Sequence, residues 1–277
     1  YYDPQEVGYA GWECDPDDPE ECEWVKPASV TTTVIYSKQN ANSTWTSTTL
    51  DTVSFVVDDS EPYVSAIDNV YNNGVAVIYA GNNKAPTIQI NNGSGFEKTT
   101  KSNSINETGN SAIIFDEDTE MIGVAWTEGS QISFYDAYSD AYSGNLLSDI
   151  STDSKTKLIL VNNIYYLAYS DDDDNNGVYD VFLTTSTDGS AGSWSQPEII
   201  FEGIKPGTFG QESNTQFAFE YNEFGNYFGL AAFATSTFST SGEIWFTSST
   251  DGINWSATST VAGGLTTGGI YRSIYMD

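Results

Sequence analysis

The chain has 277 residues, of which 39 are acidic, 9 are basic and none is histidine, and its formal net charge is −30. Only 17% of the residues are charged, against about 25% in ordinary domains, so the chain is poor in bases more than rich in acids. This balance disfavours nucleic acids and anionic membranes as partners and favours cations such as Ca²⁺. No apolar run approaches the roughly 20 residues of a membrane-spanning helix, so no membrane insertion is expected.

A motif of two short apolar strands joined by a polar turn recurs along the chain. Four complete copies occupy residues 64–79, 112–126, 157–169 and 216–233. A fifth copy is split between the two ends, with residues 273–277 as one strand and the segment around Ala10 as the next. Each pair is followed by a third strand and then by a turn rich in Gly or Asn. The third strands lie at 31–36, 87–90, 131–135, 178–183 and 243–247.

Groups of four short antiparallel strands that repeat about every 40 to 60 residues are typical of β-propeller blades. We therefore predict a single-domain, all-β protein folded as a five-bladed β-propeller. The approximate blades are residues 60–105, 108–150, 154–203 and 212–263, with a closing blade formed by 270–277 and 1–55. A β-sandwich also has many short strands, but it does not predict a five-fold repeat.

Cys14 and Cys22 flank an acidic loop that contains proline, and they are the two cysteines of the chain. In an exported protein a local disulfide between them is expected, the alternative being two free thiols. The N-x-S/T sequons, which are candidate glycosylation sites, lie at Asn42, Asn92, Asn106 and Asn254. Together with the charge, these features favour an extracellular or cell-surface location.

An acidic loop between the second and third strands of one repeat carries the pattern D-x-D-x-N-G-x-x-D. It resembles the calcium loop in propeller blades of integrin α-subunits. The resemblance implies a calcium ion whose ligands are the side chains of Asp172, Asp174, Asn176 and Asp180 and the carbonyl of Val178. Carboxylate, amide and carbonyl oxygens are the ligands that Ca²⁺ prefers, and a glycine in the loop permits a sharp turn.

Two other interpretations of this loop stay open. A shift of one residue would use Asp171 and Asp173, and a solvated acidic loop would bind no ion. A second acidic loop, at 14–22, lacks the glycine, so we favour a disulfide-closed loop there over a metal site.

Two turns between third and fourth strands share a Ser-x-Asp-Gly sequence that is followed by tryptophan. Their residues are Ser186, Asp188, Gly189 and Trp194 in the first turn and Ser249, Asp251, Gly252 and Trp255 in the second. Both turns resemble the Asp box, or BNR repeat, of sialidase-like β-propellers. In such a turn the Asp is expected to accept backbone N–H groups, the Gly to adopt a positive φ and the Trp to pack between blades. The resemblance therefore implies a structural role.

Sialidase activity is not implied, because that family binds its acidic substrate with a cluster of arginines and this chain has one, Arg272. The absence of histidine excludes mechanisms that depend on that residue. Five-bladed propellers also resemble some glycoside hydrolases, which need carboxylates that converge at one mouth of the ring. The candidates are Glu61, Glu107, Asp153 and Glu212.

The leading hypothesis is a non-enzymatic binding, adhesion or assembly module, stabilised by calcium, that presents loops to glycans or surface proteins. Aromatic residues that could stack on sugars are Trp12, Trp24, Trp126 and Trp245. One alternative is a glycoside hydrolase that acts on a polysaccharide through its mouth carboxylates. Another is a self-associating subunit of a surface filament, in which residues 270–277 complete the split blade of a neighbouring chain.

Overall fold

The computed structural model of the chain describes residues 2–4, 11–15, 18–25, 29–56, 64–70, 74–81, 86–91, 95–100, 108–116, 121–128, 130–136, 141–150, 154–173, 179–190, 192–204, 217–235 and 241–266. Some of these residues, including all of those before residue 31, are described by their backbone alone. The chain divides into two compact units, Tyr1–Thr108 and Gly109–Asp277.

Every regular element in the described ranges is a β-strand. The first unit contains β1 (Tyr2–Pro4), β2 (Gly11–Asp15), β3 (Asp18–Val25), β4 (Ser29–Gln39), β5 (Trp45–Val56), β6 (Val64–Val70), β7 (Gly74–Ala80), β8 (Pro86–Asn91) and β9 (Phe96–Thr100). The next strands, of which the first begins at the boundary between the units, are β10 (Thr108–Asp116), β11 (Met121–Glu128), β12 (Gln131–Asp136), β13 (Ala141–Ser148), β14 (Thr156–Val161), β15 (Ile164–Asp171), β16 (Tyr179–Ser186), β17 (Glu198–Ile204), β18 (Phe217–Asn222), β19 (Tyr227–Thr235), β20 (Ser241–Ser249) and β21 (Ser259–Thr266). In this described part, no helix has the length and apolarity to cross a membrane.

Four sheets follow one plan, in which four consecutive strands lie side by side in chain order. These sheets are β6–β9, β10–β13, β14–β17 and β18–β21, and their paired strands are antiparallel. They contain the four complete copies of the motif, so the predicted all-β class and the predicted four-strand units are confirmed. Closure into a five-bladed ring involves residues 270–277, which lie outside the described residues, and it stays a prediction.

The N-terminal strands differ from the predicted split copy in one respect. A three-stranded sheet has the order β1–β4–β5, with Tyr2 opposite Val34 and Pro4 opposite Thr32. Tyr2–Pro4, and not the segment around Ala10, therefore lies beside the predicted third strand. Strands β2 and β3 form a separate hairpin. A strand of three residues carries too little periodic pattern to be recognised in a sequence.

Strands β14 and β15 of the β14–β17 sheet are mostly buried on both faces, which explains why they are largely apolar. Alternate side chains of β15 point to opposite faces of the sheet. Leu167 packs with Phe134 of the β10–β13 sheet at what we call the first interface. Tyr166 packs with Phe219 of the β18–β21 sheet at the second interface. Leu167 is fully buried, and truncating such a leucine to alanine costs about 2–5 kcal/mol.

In the first unit, a β-bulge connects the β1–β4–β5 sheet to the β6–β9 sheet. Leu50 is the extra residue at a register shift between β4 and β5. Its carbonyl accepts a hydrogen bond from Nε2 of the buried Gln89 at 2.9 Å. The adjacent Asp51 accepts a hydrogen bond from the hydroxyl of Tyr79 at 2.8 Å and pairs with Lys98. The bulge thus gives polar groups of the neighbouring sheet the partners that buried polar groups require.

Candidate functional site

The turn between β20 and β21 is closed by side-chain hydrogen bonds. Ser249 Oγ accepts the backbone N–H of Asp251 at 3.3 Å and that of Gly252 at 2.9 Å. Asp251 Oδ1 accepts the N–H of Ile253 at 2.9 Å and that of Asn254 at 2.7 Å. Gly252 has a φ of 74°, which glycine adopts without steric cost. The side chains of Ser249 and Asp251 therefore accept the backbone N–H groups of the residues that follow them in the turn.

The turn between β16 and β17 has the same arrangement. Ser186 Oγ accepts the N–H of Asp188 at 3.3 Å and that of Gly189 at 2.8 Å. Asp188 Oδ1 accepts the N–H of Ser190 at 2.9 Å and its hydroxyl at 2.8 Å. Gly189 has a φ of 68°. The two turns share one hydrogen-bond pattern, while their membership of the Asp-box family stays a prediction.

A second set of hydrogen bonds closes the base of each turn, and sequence reasoning missed it. Thr184 Oγ1 donates to the carbonyl of Ser195 at 2.7 Å. Thr247 Oγ1 donates to the carbonyl of Ser256 at 2.8 Å. The signal in the sequence is a threonine two residues before the turn serine and a serine directly after the tryptophan, in both turns.

The tryptophan of each turn packs against aromatic side chains. Trp194 contacts Phe134 of the neighbouring β10–β13 sheet, with the ring centroids 5.4 Å apart, and its Nε1 donates to the carbonyl of Gly189 at 3.3 Å. Trp255 contacts Phe219 with the centroids 6.2 Å apart. Within the described ranges, the buried Nε1 of Trp255 has no hydrogen-bond partner. The two tryptophans thus differ in polar contacts but share an apolar role.

Each turn glycine also lies against the preceding sheet. A Cβ at Gly189 would come within 2.5 Å of Phe134 Cε1, and a Cβ at Gly252 would come within 2.7 Å of Tyr166 Cε1. Burial raises the pKa of Tyr166, and the charge of Asp251 adds to this effect. The turns therefore dock on aromatic rings of the next sheet with no room for a methyl group.

Hydrogen bonding lowers the pKa of both turn aspartates. For Asp251 the largest cause is the backbone N–H of Asn254, followed by the side chain of the same residue. For Asp188 the largest cause is the backbone N–H of Ser190. Carboxylates that accept several hydrogen bonds are held in the charged form, so these two are unsuited to act as general acids.

The predicted calcium loop connects β15 to β16, and part of it is described. Asp172 follows β15 directly, and Asp180 lies on β16 opposite Asp171, whose side chain is 6% exposed. Within the described ranges, no group of three or more His, Cys, Asp or Glu side chains could hold a metal ion. Three predicted ligands lie outside the described residues: Asp174, Asn176 and Val178.

The pKa of Tyr169 is affected by the charges at the start of this loop. Its ring stacks on that of Phe182, with the centroids 5.3 Å apart. Burial raises the pKa of Tyr169, and the charges of Asp171 and Asp173 raise it further. These two carboxylates therefore lie near the phenol, and they are the residues of the ligand set that is shifted by one position.

Cys14 and Cys22 lie opposite each other in the β2–β3 hairpin, as do Trp12 and Trp24. Opposed residues of an antiparallel pair have Cα atoms about 4.5–5.5 Å apart, which is within the range that a disulfide spans. The side chains of these residues lie outside the described part of the structure. The disulfide therefore stays a prediction.

The asparagines of the two described sequons have different environments. Asn42 lies in the exposed turn between β4 and β5, where its Oδ1 accepts the N–H of Thr44 at 3.1 Å and the hydroxyl of that residue at 2.6 Å. Asn254 is part of the second capped turn, and its Nδ2 donates to Asp251 Oδ2 at 2.7 Å. The other two sequons, at Asn92 and Asn106, lie outside the described residues.

One aromatic residue that was predicted to be available for sugars is buried. Trp126 is 1% exposed and lies on β11, an inner strand of the β10–β13 sheet. Trp245 is half-buried against Phe201, and its Nε1 donates to Glu243 Oε2 at 2.6 Å. In the described part of the chain, the large exposed apolar side chains are Trp45, Ile199, Phe224, Tyr227, Ile253 and Val261.

The carboxylates that would serve a glycoside hydrolase cannot be placed, because all four lie outside the described residues: Glu61, Glu107, Asp153 and Glu212. The described carboxylates of the capped turns belong to structural hydrogen-bond networks. A hydrolase therefore stays an alternative that rests on the sequence alone.

No protein-family model and no curated protein matches the chain. Solved structures with distant similarity of backbone fold include an N-acetylgalactosamine deacetylase from F. plautii (13% identity, TM-score 0.44). That match covers 75% of this chain and 70% of the deacetylase chain. An exo-β-1,3-galactanase from Phanerochaete chrysosporium (12% identity, TM-score 0.44) is matched over 72% of this chain and 49% of its own length. A sialidase from Trypanosoma rangeli (9% identity, TM-score 0.34) is matched over 76% of this chain and 37% of its own. The chain thus spans about half of the galactanase, and such distant similarity identifies neither a family nor an activity.

Proposed function

We propose that the chain is an extracellular or cell-surface β-propeller of five blades, stabilised by calcium, that acts as a non-enzymatic binding, adhesion or assembly module. The four sheets of one plan, each with four antiparallel strands in chain order, support the propeller. The observation that carries the binding role is a set of exposed apolar side chains at one end of the β18–β21 sheet.

This set, which we call the hairpin surface, consists of Phe224, Tyr227 and Ile253. Phe224 lies in the turn between β18 and β19, Tyr227 is the first residue of β19, and Ile253 lies in the turn between β20 and β21. Because Phe228 is opposite Ser249, the two turns lie side by side. Phe224 is fully exposed and Ile253 is 70% exposed. Single exposed apolar residues are common, but several at one end of a sheet indicate a contact surface.

The turn that carries Phe224 is ordered by its own hydrogen bonds. Asn222 Oδ1 accepts the N–H of Gly225 at 2.6 Å, and the hydroxyl of Tyr221 donates to Asn226 Oδ1. Asn226 has a φ of 52°, a conformation that asparagine tolerates better than most residues. An ordered turn loses little conformational entropy when it binds, which supports a role in recognition.

The hairpin surface suits a glycan or a protein surface as its ligand. Flat aromatic and branched aliphatic side chains contact the C–H faces of sugar rings, and the amide and carboxylate of Asn222 and Glu223 lie in the same turn. A few polar groups beside apolar ones are the usual composition of a binding site. The net charge of −30 favours a neutral or cationic partner over an anionic one.

We also propose one calcium ion at the β15–β16 hairpin, with Asp172, Asp174, Asn176, the carbonyl of Val178 and Asp180 as its ligands. These are all oxygen donors, which suit a hard cation. Asp180 lies opposite Asp171 on β15, so acidic residues lie where the two strands lead into this loop, and carboxylates are ligands that Ca²⁺ prefers. An ion that binds only the folded state stabilises it by mass action.

The extracellular location rests on two further proposals. A disulfide between Cys14 and Cys22 is supported by their opposed positions in β2–β3. Glycosylation is supported best at Asn42, which is exposed at a turn, whereas Asn254 is engaged in a turn by Asp251.

Binding to a panel of immobilised neutral polysaccharides and to a glycan array tests the hairpin surface. We expect Phe224→Ala to weaken binding of any captured glycan about 10- to 30-fold, as the loss of a central aromatic contact does. Val261→Ala is the matched control, because Val261 is also exposed but lies on β21 away from the turns, and its affinity should be unchanged.

Release of reducing sugars from the same polysaccharides is measured in parallel. Catalytic turnover would contradict a non-enzymatic module and support the hydrolase alternative. Equal losses of affinity in Phe224→Ala and Val261→Ala would show that the hairpin surface is not the binding site.

A further inference from the structure

Strands β4 and β5 extend beyond the rest of their sheet as a two-stranded ribbon. With 11 and 12 residues, they are longer than any other strand that the structure describes. Strand β1 pairs with β4 no further than Val34, so from residue 35 onward β5 is the one described neighbour of β4. Every residue from 38 to 49 is exposed. The ribbon, which we define as residues 35–49, therefore carries most of its side chains in solvent.

Hydrogen bonds between polar groups order the ribbon. The hydroxyls of Ser37 and Ser47 share a hydrogen bond of 2.8 Å across the strands. At the tip, the N–H of Asn40 donates to the carbonyl of Thr44 at 2.8 Å. Asn40 Nδ2 donates to Thr44 Oγ1 at 3.1 Å and to Thr46 Oγ1 at 2.8 Å. A two-stranded hairpin alone is marginally stable, so these bonds matter, and an ordered surface loses little conformational entropy when it binds.

Trp45, the first residue of β5, lies on the outer face of this ribbon and is 65% exposed. It is opposite Gln39 on β4, and Ser47 shares its face because side chains alternate along a strand. Tyr36, three residues before Gln39, lies on the other face. The ring of Tyr36 meets that of Phe96 in the β6–β9 sheet, with the centroids 5.5 Å apart. Trp45 is therefore on the face that is turned away from the β6–β9 sheet.

The face that carries Trp45 has no charge, although the chain as a whole is strongly acidic. Residues 35–50 contain no Asp or Glu and one base, Lys38, whereas the net charge of the chain is −30. Lys38 is opposite Thr46 and hence on the other face from Trp45. The outer face thus combines an indole ring with an amide and hydroxyls, which both donate and accept hydrogen bonds.

This composition suits a sugar chain better than a protein surface. A stable protein contact buries about 800 Å² on each partner, and one exposed indole among small polar side chains offers far less apolar area. A neutral sugar has C–H faces that can stack on an aromatic ring and hydroxyls that can bond to polar groups at its edge. A few polar groups beside an aromatic one are the usual composition of a small-ligand site.

We propose that the ribbon binds a neutral polysaccharide, with Trp45 stacked on the face of a sugar ring and with Gln39 and Ser47 bonded to its hydroxyls. This ribbon site goes beyond the hairpin surface, because it lies in the first unit and shares no residue with that surface. A single aromatic platform gives a low affinity, and we expect a Kd of about 0.1–10 mM for an oligosaccharide.

Acrylamide quenching of tryptophan fluorescence tests the ribbon site in the intact chain. The ligands are soluble neutral oligosaccharides of glucose, xylose, mannose and galactose, and the protein comes from a host without N-glycosylation, so that no sugar on Asn42 competes. The exposed ring of Trp45 is accessible to the quencher, whereas Trp126 is buried. We expect a bound oligosaccharide to reduce quenching in the wild type and to leave quenching in Trp45→Phe unchanged.

Calorimetric titration of the same oligosaccharides measures the variants. We expect Trp45→Ala to raise Kd at least about 10-fold, as the loss of a central aromatic contact does. Trp45→Phe keeps a ring that can stack and should stay within about 3-fold of wild type. Lys38→Ala is the matched control, because Lys38 is exposed on the opposite face, and it should stay within about 2-fold. These side chains are exposed, so the melting temperatures should not change.

Each outcome decides for or against the ribbon site. Unchanged affinity in Trp45→Ala, or no binding of any oligosaccharide at about 50 mM, would overturn it. Equal losses in Trp45→Ala and Lys38→Ala would contradict stacking on a neutral sugar. Quenching that falls with protein concentration and not with sugar would show instead that copies of the chain meet at Trp45.

Phe224→Ala is titrated in parallel and separates the ribbon site from the hairpin surface. Loss of binding in Trp45→Ala but not in Phe224→Ala would support the ribbon site and contradict the hairpin surface. The reverse result would overturn the ribbon site and leave the hairpin surface standing. Partial losses in both variants that add up in the double variant would support two independent sites.

Discussion

At the scale of single residues, the charges of Asp51, Asp188 and Asp251 are stabilised in different ways. Asp188 and Asp251 are exposed, and Asp188 accepts one backbone N–H and Asp251 two from their own turns. Asp51 is partly buried between two sheets and is matched by Lys98 and a tyrosine hydroxyl. A chain with 39 acids and 9 bases cannot pair most of its carboxylates with basic side chains, and at Asp188 and Asp251 backbone donors take over that role.

The pH dependence of folding should therefore contain a contribution from Asp251. Its pKa is lowered in the folded state, so its stabilising effect is complete above the unfolded value of about 3.9 and is lost as the pH falls through the folded value. We expect Asp251→Asn to flatten the loss of stability between about pH 5 and pH 2, as measured by urea unfolding. Asp188→Asn should act with the same sign, and parallel profiles of wild type and both variants would contradict this account.

At the scale of elements, the capped turns connect the hydrogen bonding of one sheet to the packing of the next. The glycine that permits the turn is also the residue that touches the neighbouring aromatic ring. Two requirements, a positive φ and an absent side chain, thus fall on one position. Substitution there should be more damaging than at a glycine that meets only one of them.

Gly189→Ala and Gly192→Ala form a matched pair for this argument. Both glycines have a positive φ, but a Cβ at Gly192 meets nothing within 4 Å. We expect Gly192→Ala to cost about 1–2 kcal/mol from backbone strain alone. Gly189→Ala should cost about 2–5 kcal/mol, because overpacking against Phe134 is added. Urea denaturation measures both, and equal costs would show that the contact with Phe134 is unimportant.

The strands were predictable because sheets buried on both faces leave short apolar runs, and polar turn residues separate those runs. Strand β1 was not predictable, because three residues are too few to show an alternating apolar pattern. The burial of Trp126 was not predicted, because the sequence beside a strand residue does not show what packs on the face of its sheet. The capping by Asp188 and Asp251 follows from the local chemistry of Asp-Gly turns. The opposition of Asp171 and Asp180 depends on the register of β15 and β16, which a sequence read along one chain does not display.

At the scale of the whole molecule, the proposed ring depends on its two ends. The split copy of the motif assigns residues 273–277 to the same blade as the N-terminal strands. Blades pack only on their neighbours, so a ring with one incomplete blade loses packing on both sides of the gap. The end of the chain is therefore where the proposed architecture is most sensitive.

Replacement of residues 270–277 by an equally long Gly/Ser segment tests this closure. If these residues complete the chain's own ring, the melting temperature should fall and the protein should remain monomeric. If they complete a neighbour's ring, polymers of the intact protein should disappear on replacement. Light scattering and thermal unfolding separate the two cases, and identical behaviour of both proteins would contradict a closing role for this segment.

The two capped turns also differ in length, and this difference shows how much variation their closing hydrogen bonds allow. Four residues (190–193) separate Gly189 from Trp194, whereas two (253–254) separate Gly252 from Trp255. The bonds at the base of both turns are nevertheless the same. The stretch between glycine and tryptophan can therefore have either length without a change in the bonds that close the base of the turn. Sheets of one plan can in this way present turns of different size.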